Sequence, residues 1–196
     1  MVDRPEPVRG EPRRPFAKPI TVRRLENVAA AYVDRYASTS ARLRDVLTRR
    51  VRNARRLEAP VVEGVEDVIE AIVAKYVAAG ILDDARFARQ KAASLRRRGT
   101  STRRVREKLA HAGVPRDDID GAMAAVREEA GDADGAGELT AAIELARRRR
   151  LGPFSDPATR AERRDKHLAA MGRAGFPLAI ARRVVDATDI DALRDE

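Results

Sequence analysis

Apolar residues recur along this chain every three to four positions, the period of an α-helix rather than of a strand. The first run opens at Thr21 and places Leu25, Val28, Ala29, Tyr32 and Tyr36 on one face. Ser38-Thr39-Ser40 then offers side-chain oxygens for a helix start, and Leu43, Val46, Leu47, Val51 and Ala54 give the second helix its apolar side. Residues 58–64 contain Pro60 and read as a loop, after which Val65, Val68, Ile69, Ile72, Val73, Tyr76 and Val77 predict a third helix. Gly80-Ile81-Leu82 closes it, and Asp83 or Asp84 caps a fourth with Phe87, Ala88, Ala92 and Leu95 inward.

Gly99 supplies a left-handed stop, and Thr100-Ser101-Thr102 caps a fifth helix bearing Val105, Leu109 and Ala112 and ended by Gly113. A sixth starts at Asp117 or Asp118 and turns Ile119, Met123 and Val126 inward. The run GDADGAG at 131–137 predicts a linker, and Leu139, Ala142, Ile143 and Ala146 a seventh helix. Asp156-Pro157 predicts the start of an eighth, carrying Leu168 and Met171, and Phe176-Pro177 leads into a ninth with Leu178, Ala181, Val184 and Val185. No strand-like alternation interrupts this series.

The pattern repeats. Ser38-Thr39-Ser40 and Thr100-Ser101-Thr102 lie 62 positions apart, as do Leu47 and Leu109, and Leu109 and Met171. The same shift carries His111-Ala-Gly-Val-Pro115 onto Arg173-Ala-Gly-Phe-Pro177. Treating the loop at Pro60 as an insertion, the expected fold is all-α: about nine helices as tandem three-helix repeats in an elongated, curved array. The expected divisions are a disordered basic tail at 1–19, a first repeat at 20–81, a second at 82–130, the linker, and a divergent third repeat at 138–196. Units of this size bury little alone, so neighbours must cover one another.

Composition agrees with thin modules. Of 196 residues 43% are apolar but only 4% aromatic, and the formal net charge is +9. A chain so basic favours a polyanionic partner. There is no cysteine, which excludes disulfides, thiolate metal sites and cysteine nucleophiles. No apolar run approaches the ~20 residues of a membrane span, so a cytoplasmic protein without membrane contact is expected. Nucleotide-binding glycine loops are absent, and neither His111 nor His167 has a metal-ligand spacing; both read as surface or helix-end residues. No catalytic site, metal or cofactor is expected.

Charge instead alternates along the chain. Residues 86–108 hold ten basic side chains and one acid, whereas residues 113–138 hold two arginines and eight acids. If the repeats stack, the basic stretches 42–56, 86–108 and 147–166 should merge into ridges suited to phosphate or to an acidic protein surface.

At Leu82-Asp83-Asp84-Ala85-Arg86-Phe87-Ala88, followed by Arg97-Arg98-Gly99, Arg104, Leu109 and Ala112-Gly113-Val114, the sequence resembles the RecX family of bacterial recombination regulators. Tyr32 to Ser38 and Arg42-Leu43-Arg44 with Leu47, Arg49 and Arg50 add to the likeness, which runs over roughly residues 21–128. The resemblance implies tandem three-helix repeats, and a protein that binds RecA and the RecA–DNA filament and suppresses its ATPase, strand-exchange and coprotease activities. It implies no chemistry of the protein's own; DNA would be a weaker, nonspecific partner, and a monomer is expected.

The motif letters read as architecture: Asp83 and Asp84 cap, Phe87, Ala88 and Leu109 pack, Gly99 and Gly113 turn the chain. The candidate contact residues are the cations beside them, Arg96, Arg97, Arg98, Arg103, Arg104, Arg106 and Lys108, with Arg42, Arg44, Arg49 and Arg50 in the first repeat. The alternative reading is a helical protein that binds nucleic acid without sequence preference and has no RecA partner.

Overall fold

The computed structural model describes residues 18–129 and 136–188. Most of the expected tail, most of the linker and the end of the third repeat therefore lie outside the described residues. Among the described residues the fold is all-α, with helices α1 Val22–Arg35, α2 Ser40–Arg56, α3 Val65–Ala78, α4 Asp84–Arg97, α5 Thr102–His111, α6 Arg116–Glu129, α7 Ala136–Arg149, α8 Arg160–Arg173 and α9 Leu178–Val185. One 3-10 turn, Gly152–Phe154, precedes α8. Ala136 and Gly137, expected in the linker, form the first turn of α7.

Buried residues fall into three clusters in chain order: Ile20 to Leu82, Ala88 to Met123, and Leu139 to Val185. Ile20 enters the first through an isolated parallel bridge with Val61, donating to Pro60 O at 2.8 Å and accepting from Val62 at 2.9 Å. In each cluster the second helix supplies a fully enclosed residue at the same place, Leu47, Leu109 and Met171. Phe87, expected inward, is only half-buried against the second cluster, whereas Ala88 beside it is enclosed.

Consecutive clusters are joined by one device used twice. Thr39 is the N-cap of α2: its hydroxyl accepts from Arg42 N at 3.2 Å and donates to Ala112 O, the end of α5, at 2.6 Å. Ser101 is the N-cap of α5, accepting from Arg104 N at 3.3 Å and donating to Ala174 O, the end of α8, at 2.7 Å. Both hydroxyls are completely buried. All four partners obey the 62-residue shift.

A carboxylate from the following unit completes each joint. Asp84 Oδ1 accepts from Ser40 N at 2.8 Å, and Glu138 accepts from both Thr102 N (3.1 Å) and the Thr102 hydroxyl (2.6 Å). Helix starts leave N–H groups unpaired and helix ends leave carbonyls unpaired; here one hydroxyl serves both, accepting from an N–H of its own helix and donating to a carbonyl at the end of the other. The Asp-Asp pair thus divides its work. Asp83 caps its own helix, accepting from Arg86 N at 2.7 Å, whereas Asp84 reaches back to the unit before.

Gly113 lets the joint close. It sits at φ 77°, and a Cβ there would collide with the side chain of Ala41 at the start of α2. Its counterpart Gly175 lies against the Ser101 hydroxyl. After each glycine the chain folds back identically, Val114 N to Leu109 O at 3.1 Å and Phe176 N to Met171 O at 3.2 Å, burying Val114 and Phe176. Gly99 serves the other seam: a Cβ would stand 2.6 Å from Leu145 N and 2.8 Å from Ala141 O of α7.

Two departures from the expected repeat matter for function. In the first unit the same back-folding bond runs from Ala59 N to Ala54 O at 3.0 Å. Ala59 stands 55, not 62, positions before Val114, so seven extra residues lie in helix α2 (17 residues against 10 in α5), and the stretch 57–64 that follows it is four residues longer than 112–115 after α5. Seven residues are two turns, which lengthen a helix without rotating its faces. At the far end, α8 begins at Arg160 rather than at Asp156-Pro157. Asp156 instead closes a turn, accepting from Ala158 N at 3.0 Å. Arg163 then occupies the place of Thr39 and Ser101 inside the helix, so the joint has no further copy.

Thr39→Val and Ser101→Ala should each cost about 1–3 kcal/mol in urea unfolding, since a cap and a buried acceptor's partner go together. Thr39→Ser should cost much less. Losses below about 0.5 kcal/mol in the first two would contradict the joint's role. Leu109→Ala should cost about 2–5 kcal/mol, more than Phe87→Ala, whose half-exposed ring loses less; the reverse order would contradict the observed packing.

Candidate interaction surface

Position on a helix decides which cations are available. On α2 the buried face is Leu43, Leu47, Val51 and Ala54. At 100° per residue the opposite face carries Arg42, Asp45, Arg49, Arg52 and Arg56, all exposed. Among the described residues none of these four arginines has an acidic partner. Arg50 is exposed but lies off this row, and Arg44 is committed sideways: Nε and Nη2 donate to Glu70 Oε1 and Oε2 of α3 at 2.5 and 2.8 Å. That pairing holds the Glu70 carboxyl below the usual carboxylate range and raises the Arg44 guanidinium. Arg55 makes a single bond, Nη2 donating to Glu66 Oε1 of α3 at 2.9 Å.

The second unit is spelled with as many cations but presents fewer. Arg103 Nε donates to Glu107 Oε1 at 3.0 Å and Arg104 Nη1 to Glu107 Oε2 at 2.7 Å, so both oxygens of one carboxylate face arginine. Arg104, followed by Arg103, keeps the Glu107 carboxyl below its ordinary range. Arg104 also donates to Arg173 O of α8 at 2.8 Å, which adds to the joint. Arg106 pairs with Asp120 of α6, whose carboxyl it lowers.

Arg96 is the most enclosed cation of the set, 11% exposed, and donates to Glu138 at 2.7 Å and to Thr100 O at 3.1 Å. It orients the carboxylate that caps α5 and is part of the seam. Arg97, Arg98 and Lys108 remain exposed, without an acidic partner among the described residues.

Arg96, Arg97, Arg103 and Arg106 surround a groove of about 1140 Å³ between the second and third units, with Met123 and Val126 among its apolar lining. Part of the candidate set therefore forms two groups. Arg42 and Arg49 lie along the outer face of α2; Arg96, Arg97, Arg103 and Arg106 rim this groove, all but Arg97 paired with acids, and the remaining candidates stand in neither. Arg52 and Arg56 belong with the first although they stand outside the candidate set, and the spacing of Arg42, Arg49 and Arg56 by sevens was the available signal.

Of the two histidines, His111 is exposed at the end of α5, as expected. His167 is not a surface residue. It is 7% exposed, sits 62 positions after Val105 in the third core, and accepts from Gly152 N through Nδ1 at 3.1 Å. Burial, then the nearby Arg163 and Arg160, lowers its pKa. Among the described residues no cluster of acids and histidines could hold a metal ion, and no helix is long and apolar enough to cross a membrane.

Residues 83–123 match the family model described as RecX, second three-helix domain. The chain is also 40% identical over 176 residues to a protein named Regulatory protein RecX from Myxococcus xanthus (strain DK1622), covering 89% of this chain and 90% of that one. No solved structure matches it.

The buried imidazole makes stability depend on pH with a definite sign. Its folded pKa lies below the ordinary value near 6.5, so the unfolded chain binds the proton more readily. The contribution is fully present above about pH 6.5 and is lost as pH falls below it. Unfolding free energy of the wild type should therefore decline more steeply between pH 6.5 and 5 than that of His167→Leu. Parallel curves would contradict the buried, neutral histidine.

Proposed function

The chain belongs to the RecX family, and from that membership we propose that it is a regulator of RecA: it binds RecA and RecA–DNA filaments and inhibits their ATPase, strand-exchange and coprotease activities, so tuning DNA repair, recombination and the SOS response. The observation that carries the reading is 40% identity over 176 residues to a protein named Regulatory protein RecX, covering 89% of this chain. The build suits action through a partner. Three similar units in series can touch successive places on a periodic filament, and linked contacts multiply in strength without any one being tight.

Within this reading Arg97, Arg98 and Lys108 meet the filament, because they are the candidate cations of the second unit left without acids among the described residues. Arg96 and Arg104 hold the units together instead. A second reading, nucleic-acid binding without RecA, is favoured by one observation only, the unpaired arginine row on α2.

Adding the protein to RecA on single-stranded DNA and following ATP hydrolysis tests the proposal. Inhibition at or below an equimolar ratio is expected. No inhibition, with binding to naked DNA retained, would replace the first reading by the second. Arg97→Glu, Arg98→Glu and Lys108→Glu combined should abolish inhibition while helicity by circular dichroism is kept; undiminished inhibition would show that these cations are merely solvated.

A further inference from the structure

We propose that the outer face of α2 is a nucleic-acid phosphate-backbone site made by Arg42, Arg49, Arg52 and Arg56, and that the corresponding face of α5 is not one. The inference goes beyond the RecA reading and does not depend on it. Its first support is geometry. Steps of 7, 3 and 4 residues keep the four guanidiniums on one side of a continuous helix, over about 21 Å of axis at 1.5 Å per residue. All four are exposed, opposite the buried face, with no acidic partner among the described residues. The one carboxylate in the row, Asp45, leaves the face three charges positive.

The second support is internal comparison. The place of Arg42 in α2 is taken by Arg104 in α5, and there Glu107 binds both it and Arg103 while Arg173 O takes another guanidinium donor. The short α5 ends at His111, so it has no counterpart of Arg52 and Arg56. Those two residues lie in the part of α2 prolonged by the seven-residue insertion. The insertion thus extends a cationic row while leaving the apolar face in register.

Chemistry selects the partner. The row contains no apolar or aromatic side chain, whereas the centre of a protein–protein interface is depleted of charge and enriched in aromatics. Nothing in it offers a base-stacking platform. A row of separate guanidiniums matches a chain of phosphates, contacted irrespective of sequence.

Affinity for a single-stranded oligonucleotide, measured across a salt series, is the test. Each lost phosphate contact should reduce the slope of log K against log salt by about 0.7. Replacing all four arginines by glutamine should weaken binding and flatten the slope by about 2 to 3, with helicity unchanged. The matching set of lysines should retain the wild-type slope, and Arg103→Gln with Arg104→Gln should change it by less than about 1.

A glutamine set that keeps the wild-type slope would overturn the proposal. So would an Arg103/Arg104 pair that flattens it equally, or a glutamine set that loses binding to RecA alone but not to the oligonucleotide. Binding to RecA without DNA, measured on the same variants, separates this outcome from the regulatory reading: a protein that holds the oligonucleotide through α2 but never inhibits RecA leaves the site standing and the proposed function refuted.

Discussion

A buried hydroxyl must find partners for its hydrogen and its lone pairs, and in this chain that requirement fixes where one unit meets the next. Thr39 and Ser101 are enclosed completely, and each bonds one amide of its own helix and one carbonyl at the end of the helix in the following unit. An unpaired buried group costs more than a made bond returns, so the arrangement tolerates little slippage. Because a helix start is rich in unpaired N–H and a helix end in unpaired C=O, two ends that would each need solvent can be buried together. Small units with thin cores are thereby joined without a large apolar interface.

The same joint sorts the arginines. A guanidinium drawn into the seam, such as Arg96 on Glu138 or Arg104 on Arg173 O, orients neighbouring units and is no longer available to a partner. Those outside the seam divide again by whether an acid stands beside them. Glu66 and Glu70 of α3 take Arg55 and Arg44 of α2, and Glu107 of α5 itself and Asp120 of α6 take the three arginines of α5. Net charge therefore overstates the cationic surface, which is concentrated where a helix turns its outer face away from every acidic neighbour.

Much of the architecture was legible in the sequence because it rests on local rules. Helical periodicity, hydroxyl caps and stop glycines fixed nearly every helix, and the 62-residue shift marked the repeat. What escaped depends on contacts between distant residues. The aspartate of α4 that caps another unit's helix looks, in sequence, like one of two equivalent caps. The first unit's excess length is partly two extra turns inside α2 and partly a longer loop at Pro60, and only the back-folding bond at Ala59 divides the two. Nothing local distinguishes His167 from a surface histidine; its burial follows from standing where Val105 stands one unit earlier. Asp156-Pro157 is a sound start signal, but its aspartate spends its cap on the turn before the helix. Counting cations likewise could not show that Glu107 holds two of them.

Hydrogen exchange at the amides of Ser40 and Thr102 tests the joint most directly. Both are the first residues of their helices, positions whose N–H ordinarily has no protein acceptor within the helix and exchanges rapidly. Here Asp84 and Glu138 accept from them across the seam. Both amides should exchange slowly in the native protein, and Asp84→Ala should release Ser40 while leaving Thr102 protected. Rapid exchange at both in the wild type would contradict the joint, and with it the series of units built upon it.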